Sequence, residues 1–177
     1  KYDITGLQDI AMYARIGNVQ GSRSENIQLM ESMLLLAQKL NSDNISELLD
    51  GNLASSFGLL EQDIIALNKV ATRELPIVIE VNRAADILQA LRLKKIFNLD
   101  MILMSVEEAP LIIQQIKDSG VPVIIDPMDN IPNSFDELAS DIKLGGILDK
   151  NGIKVMFSTQ RSHNYHLMRQ GAGNAVA

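Results

Sequence analysis

The stretch Pro76-Ile77-Val78-Ile79-Glu80-Val81 decides the fold class of this chain. An apolar, β-branched run of this length is typical of a strand in a parallel sheet that is covered on both faces. Apolar residues then recur at helical spacing, at Ala84, Ile87, Leu88 and Leu91. A strand followed directly by a helix is the unit from which α/β folds are built, so this stretch predicts an α/β protein.

Three further runs of the same kind follow, at residues 101–105, 121–125 and 153–157. The four runs begin at residues 77, 101, 121 and 153, a spacing typical of successive right-handed βα units. A second helix is predicted from Leu111, Ile112 and Ile116, with its end at Ser119-Gly120.

The third helix is predicted to begin at Ser134, because Ser134 and Glu137 have the spacing of a capping box. Its apolar residues are expected to face the core: Phe135, Leu138 and Ile142. The pairs Gly145-Gly146 and Asn151-Gly152 then predict turns before the last strand.

Residues 1–75 show a different pattern, with helical spacing and no alternation typical of a strand. Helices are predicted over residues 24–40, 46–50 and 60–71. The predicted organisation is therefore a helical segment, 1–75, that leads into four βα units, 76–177.

Two α/β folds fit this order of elements, a doubly wound sheet and a (β/α)₈ barrel. The nucleotide-binding patterns GxGxxG and GxxxxGK[ST] follow none of the four runs, which weakens the case for a doubly wound sheet. A barrel typically needs about 250 residues, so 177 residues would hold its C-terminal half, strands five to eight. We therefore expect a piece of a longer protein, with a natural short chain as the alternative.

Composition excludes several classes of function. There are 16 Lys and Arg residues against 22 Asp and Glu, a net charge of −6, which argues against binding to nucleic acid or to an anionic membrane surface. The absence of Cys excludes disulfides and Cys-ligated metals, and two His residues cannot form an all-His metal site. The chain shows no recognisable targeting segment, so its sequence leaves both a bacterial cytoplasmic and a periplasmic location open.

Polar residues cluster where the predicted strands end, which is where α/β proteins place their chemistry. The candidates are Glu80, Asn82 and Arg83 after the first strand, Ser105 with Glu107 and Glu108 after the second, Asp126 after the third, and Gln160 and His163 after the fourth. Because strand side chains alternate, Glu80 and Asn82 should share one face.

Each candidate also has a purely structural interpretation. Glu80 and Arg83 could pair with each other, and Asn82 is a good N-cap for the following helix. Glu107 and Glu108 suit the positive end of a helix, and Asp126 before a proline is a common start of a turn.

Residues 76–88, which run Pro-Ile-Val-Ile-Glu-Val-Asn-Arg-Ala-Ala-Asp-Ile-Leu, resemble the fifth strand and helix of the amidohydrolase superfamily, with a closer match to imidazolonepropionase-related members. Residues 120–127 resemble strand seven, 151–159 resemble strand eight, and 169–176 resemble the helix that follows it.

This resemblance implies a metal-dependent hydrolase barrel that acts on carbon–nitrogen bonds, with one or two divalent metals such as zinc in the barrel mouth. It also implies metal-binding His residues where Asn82 and Ser105 stand, and an Asp close to Gln160. Because these three residues are poor zinc ligands, we expect no tightly bound catalytic zinc in this chain.

Three candidates remain for catalysis, namely Glu80, Asp126 and His163. Substrate contacts are predicted for Asn82, Arg83, Ser105 and Gln160. The first hypothesis is thus a carbon–nitrogen hydrolase with an altered metal site. The second is a catalytically silent relative that binds a ligand or supports a partner subunit, and the third is an unrelated barrel such as a carbon–carbon lyase.

The expected partners are a small-molecule substrate and either the missing half of the barrel or a second copy of the chain. Half a barrel leaves its outer strands unpaired, so the chain alone is expected to aggregate, to dimerise or to need its missing half.

Overall fold

The computed structural model describes residues 10–17, 21–39, 58, 60–128, 132, 134–159 and 162–176. These residues form five strands and six α-helices: β1 (Met12–Arg15), α1 (Arg23–Lys39), α2 (Glu61–Ala71), β2 (Ile77–Val81), α3 (Ala84–Phe97), β3 (Met101–Ser105), α4 (Ile113–Ser119), β4 (Val123–Ile125), α5 (Leu144–Lys150), β5 (Val155–Phe157) and α6 (Met168–Val176). Short 3₁₀ helices, Ala109–Ile112 and Ser162–Leu167, precede α4 and α6. None of the described helices is both long and apolar enough to cross a membrane.

The sheet has the topology of a barrel. Its strands lie in the order β1-β2-β3-β4-β5, and every neighbouring pair is parallel. A doubly wound sheet changes direction at a switch point, whereas barrel strands follow one another in chain order. The described chain is therefore a partial (β/α)₈ barrel, and the predicted parallel βα units are confirmed.

One face of the sheet carries the hydrophobic core. On β2, Ile77, Ile79 and Val81 are each at most 2% exposed. They belong to one hydrophobic cluster with buried residues of three helices: Ile87, Ala90, Leu93 and Phe97 of α3, Ile116 of α4, and Leu144 and Leu148 of α5. The helices that follow the strands thus cover this outer face of the sheet.

The opposite, inner face of the sheet is only half-buried in the described residues, whereas the sequence pattern is typical of strands covered on both faces. Its apolar residues alternate with the core residues along the strands: Val78, Ile102, Met104, Ile124 and Met156. In a closed barrel these positions fill the interior. Five strands do not close an eight-stranded barrel, which explains why this face is partly open.

The first strand lies within the segment that was predicted to be helical. In β1, Met12 pairs with Ile77 and Arg15 pairs with Glu80, so β1 extends the sheet beyond β2. The strand has only four residues, and its exposure alternates at an edge of the sheet. Such a short strand is defined by its partner, which explains why local sequence did not reveal it.

The predicted helices over residues 24–40 and 60–71 are confirmed as α1 and α2. The predicted helix over residues 46–50 lies outside the described residues. The second predicted helix corresponds to Ala109–Ile112 and α4 together, and it ends at Gly120 in the left-handed conformation (φ 65°).

The third predicted helix was misplaced. Residues 134–143 form turns, and the side chains expected to face the core are exposed by 81% at Phe135, 66% at Leu138 and 69% at Ile142. The Ser134 hydroxyl accepts a hydrogen bond from the Asp136 amide at 3.2 Å, which closes a turn and does not start a helix. The helix begins later, as α5.

The pair Gly145-Gly146 lies inside α5, so its interpretation as a turn was wrong. A Cβ atom on Gly145 would lie 3.1 Å from the Ala175 Cβ and 3.4 Å from the Ile125 Cδ1. The glycine therefore allows α5 to pack closely against α6 and β4, which matters more here than its low helix propensity.

The start of α3 is capped from the next βα unit. Arg83 occupies the N-cap position and makes no side-chain cap, whereas the Glu108 carboxylate accepts a hydrogen bond from the Ala84 amide at 2.9 Å. Asn82 therefore does not cap α3 as one structural interpretation predicted. Glu108 does interact with the N-terminus of a helix, but this helix is α3, which precedes it in the chain, and not the helix that follows it.

We expect Glu108→Ala to lower the free energy of unfolding by about 1 kcal/mol, because it removes both a cap and a negative charge at the positive end of α3. Urea unfolding followed by circular dichroism measures the change. The exposed Asp149, changed to Ala, is the matched control and should stay within about 0.5 kcal/mol. Equal effects of the two substitutions would contradict the capping role.

Candidate functional site

Glu80 lies on the inner face of β2 beside two residues of β1. Its carboxylate accepts a hydrogen bond from the Arg15 guanidinium at 2.8 Å and another from the Tyr13 hydroxyl. Burial, followed by the hydrogen bond to Glu80, raises the pKa of the Tyr13 hydroxyl above its ordinary value. Glu80 is therefore paired with Arg15, and the structural interpretation that paired it with Arg83 was wrong.

Asn82 follows β2 directly and has an incompletely satisfied amide group. Its Nδ2 donates to the Glu137 carboxylate at 3.3 Å. Its Oδ1 is buried and has no hydrogen-bond partner among the residues that the structure describes. Buried polar atoms without a partner are rare in folded proteins.

A cluster of two arginines and two aspartates lies next to Asn82. Arg83 donates from Nε to Asp136 at 2.8 Å and from Nη2 to the Phe135 carbonyl at 3.2 Å. Arg23, the first residue of α1, pairs with both Asp136 and Asp86. The hydrogen bond with Asp136 is the first cause that raises the pKa of Arg23.

Gly17 makes room for this cluster after β1. It has a φ of 87°, and a Cβ atom there would lie 2.6 Å from Nη1 of Arg23 and 3.4 Å from an Asp86 carboxylate oxygen. Only glycine adopts such a φ without strain and leaves space for the Arg23–Asp86 pair.

These groups surround a pocket of about 130 Å³ at the carboxyl ends of β1 and β2. Its wall is mostly polar and is formed by Arg15, Ile16, Gly17, Glu80, Val81, Asn82, Ser134, Asp136 and Glu137. A neighbouring pocket of about 350 Å³ shares Gly17, Ser134 and Asp136 with it. We call the smaller one the β1–β2 pocket.

The structure brings Glu80 and Asn82 into the β1–β2 pocket, with Arg83 in the adjacent ion-pair cluster. Ser105 and Asp126 are each 8% exposed at the ends of β3 and β4, and neither lines this pocket. The Asp126 carboxylate accepts the Met128 amide at 2.9 Å, so it closes a turn. Gln160 and the side chain of His163 lie outside the described residues.

Ser105 has an unusual backbone. Its φ is 74°, and Val106 follows with a φ of 53°. A β-branched residue in the left-handed region is strained, and the following hydrogen bonds hold it there. The Val106 amide donates to the Val81 carbonyl at 2.9 Å, and the Glu108 amide donates to the Asn82 carbonyl at 3.0 Å. The end of β3 is thus tied to the end of β2.

Sequence reasoning missed four members of the site: Arg15, Arg23, Asp136 and Glu137. Arg15 and Arg23 lie in the segment that was predicted to contain only helices. Glu137 was identified only as part of a capping box, and Asp136 carried no local signal. Their distances from Asn82 along the chain made the contacts unpredictable without the fold.

The described residues do not fit a catalytic zinc. Such a site needs about three protein ligands that together hold one ion. Within residues 10–17, 21–39, 60–128 and 134–159 and the other described positions, no group of three or more His, Cys, Asp or Glu side chains is placed to hold a metal ion. No chemical step is therefore assigned to a metal at this site.

Comparison with known proteins identifies the fold. No protein-family model matches the chain, and no curated protein sequence matches it. Among solved structures, the amidohydrolase from Thermotoga maritima MSB8 is similar, with a TM-score of 0.75 and 14% sequence identity. The match covers 95% of this chain and 47% of the amidohydrolase, so the chain spans about half the length of that protein. The likeness thus shows the fold alone, a partial (β/α)₈ barrel that corresponds to about half of that protein.

Proposed function

We propose that this chain is an amidohydrolase-like protein that acts on a carbon–nitrogen bond of a small polar molecule, a cyclic amide or a peptide-like compound, in the β1–β2 pocket. The observation that carries the proposal is the buried Asn82 Oδ1, which has no hydrogen-bond partner among the described residues. A buried acceptor of this kind suits an N–H group of a ligand.

The position of the pocket supports this proposal. In barrels, ligands bind at the carboxyl ends of the strands, and both Glu80 and Asn82 lie there. The structural neighbour from Thermotoga maritima is an amidohydrolase, which indicates the class of bond. Fold alone does not determine function. The proposed class of bond therefore rests on this likeness, and the proposed role in ligand binding rests on the pocket.

Within this proposal, Glu80 has the role of general base toward water, since it is a carboxylate on the pocket wall. Arg15 holds the Glu80 carboxylate in place through the 2.8 Å hydrogen bond. Asn82 binds the amide group of the substrate. Catalytic roles for Asp126 and His163, and substrate contacts for Ser105 and Gln160, stay predictions.

A second candidate is a catalytically silent relative that binds the same kind of ligand without cleaving it. The observation that favours it is the lack, among the described residues, of a set of side chains that could hold a metal. One carboxylate oxygen of Glu80, Oε2, also accepts hydrogen bonds from both Arg15 and Tyr13, so protein donors already occupy it.

The test uses the purified chain and a panel of cyclic and linear amides, with and without added zinc. Calorimetry measures binding, and chromatography measures the ring-opened or cleaved acid. We expect Glu80→Gln to lower turnover by about 10²-fold or more, and Asn82→Ala to weaken binding by about threefold to tenfold. Asp149→Asn is the control for both.

Binding without turnover, weakened in Asn82→Ala, would favour the silent relative. Turnover that survives both substitutions would place the chemistry outside the β1–β2 pocket. No binding and no turnover with any amide, with or without zinc, would refute the proposal.

A further inference from the structure

The segment of residues 134–142, which we call the strap, runs along one side of the β1–β2 pocket. Ser134, Asp136 and Glu137 belong to the pocket wall, and Ser134, Phe135 and Asp136 belong to the wall of the neighbouring 350 Å³ pocket. The strap comes from the loop between β4 and α5, on the far side of β3 from this pocket.

The strap is not held by hydrophobic packing. None of its nine residues is buried, and the apolar side chains of Phe135, Leu138 and Ile142 point into solvent. A segment with so few buried apolar contacts has a low free energy of local opening.

Polar contacts to three residues hold the strap in place. Asp136 lies between Arg23 and Arg83, Arg83 also donates to the Phe135 carbonyl, and Asn82 donates to Glu137. Arg23 is itself paired with the buried Asp86 on α3. In the Arg23–Asp136 contact, Arg23 therefore stays in place while the strap can move.

We propose that the strap is a gate to the β1–β2 pocket and that Asp136 is its latch. Opening breaks the contacts of Asp136 with Arg23 and Arg83. The strap residues, which form part of the wall of both pockets, then move away and admit the ligand. This inference rests on the proposed function for the identity of the ligand, but the gate itself can be tested without a ligand.

The latch is expected to respond to salt. The two arginine side chains are 33% and 38% exposed, so their attraction to Asp136 acts partly through solvent. Exposed ion pairs contribute little individually and are screened by salt. Both a high salt concentration and neutralisation of Asp136 should therefore open the gate.

The test exploits the absence of cysteine from the chain, because one introduced thiol is then a unique probe. Asn82→Cys places that thiol in the pocket, and iodoacetamide measures access to it. We expect modification to be about fivefold to tenfold faster at about 500 mM than at about 20 mM NaCl. Adding Asp136→Asn should give the fast rate at both salt concentrations.

Asp118→Asn in the same Asn82→Cys background is the matched control. Asp118 is an exposed carboxylate that accepts a hydrogen bond from Gln114 within α4, so its loss should leave the rate and its salt dependence unchanged. A modification rate that is independent of both salt and Asp136 would overturn the gate.

Hydrogen exchange provides a second measurement if Asn82→Cys does not fold. In the otherwise unmodified chain, the Glu137 and Ser140 amides donate within the strap at 3.1 and 3.0 Å. We expect Asp136→Asn to speed their exchange by about fivefold to tenfold, and unchanged exchange would overturn the latch. These results do not depend on turnover, so failure of the gate and failure of the proposed function are distinguishable.

Discussion

Leu103→Ala is expected to lower the free energy of unfolding by about 3–5 kcal/mol, whereas Met104→Ala should lower it by about 1 kcal/mol or less. The two residues are neighbours on the central strand β3 and have similar volumes. Leu103 is fully buried under the helices, but Met104 lies on the half-buried inner face. Urea unfolding of the 177-residue chain measures both changes.

The comparison tests whether the inner face is covered in solution. We expect this face to be covered by the remaining strands of a barrel or by a second copy of the chain when either is present. Light scattering at the same protein concentrations reports whether copies associate. Similar large losses for Leu103→Ala and Met104→Ala in a monomer would contradict an open inner face.

The central strands were predictable because each is defined by its own side chains. Residues 77–81 and 101–105 consist almost wholly of apolar residues, and β2 and β3 have these bounds. Alternate residues of each run are buried under helices, and the residues between them are those that fill the interior of a closed barrel, so the continuous apolar pattern is readable locally. The repeated βα order then left only two fold classes, and the strand order in the structure distinguishes them.

The edge strand and the strap were not predictable in the same way. β1 has four residues and gains its conformation by pairing with β2, which lies more than sixty residues further along the chain. In the strap, a capping-box pattern with helically spaced apolar residues suggested a helix. Contacts of Asp136 and Glu137 with residues of other elements outweighed that local preference.

In the candidate site, too, some residues were predictable from local sequence and others were not. Glu80 and Asn82 were identified because they end a recognisable strand, and position alone indicates a rim residue. Arg15 and Arg23 were missed because nothing local distinguishes them from solvated surface arginines. Their roles come from Glu80, Asp86 and Asp136, which reach them only in the folded chain.

Arg23→Gln is expected to lower the free energy of unfolding by about 2–3 kcal/mol. It leaves Asp86, only 5% exposed, without its cation. Removal of one partner of a fully buried ion pair costs about 3–5 kcal/mol, and the one-third exposure of Arg23 reduces this value through solvent screening. Asp136 keeps Arg83 as a partner, so the loss arises mainly at Asp86.

A double-mutant cycle separates the buried charge from other effects of the substitution. Asp86→Asn added to Arg23→Gln removes the charge that was left without a partner, so the double variant should recover about 1–2 kcal/mol relative to Arg23→Gln. Additive losses would contradict the coupling of the two residues.

The backbone at Gly17 accommodates this ion pair. Gly17 has a φ of 87° and leaves the space that the Arg23 guanidinium occupies beside Asp86. A side chain at residue 17 would have to displace that guanidinium, so the ion pair depends on glycine at this position.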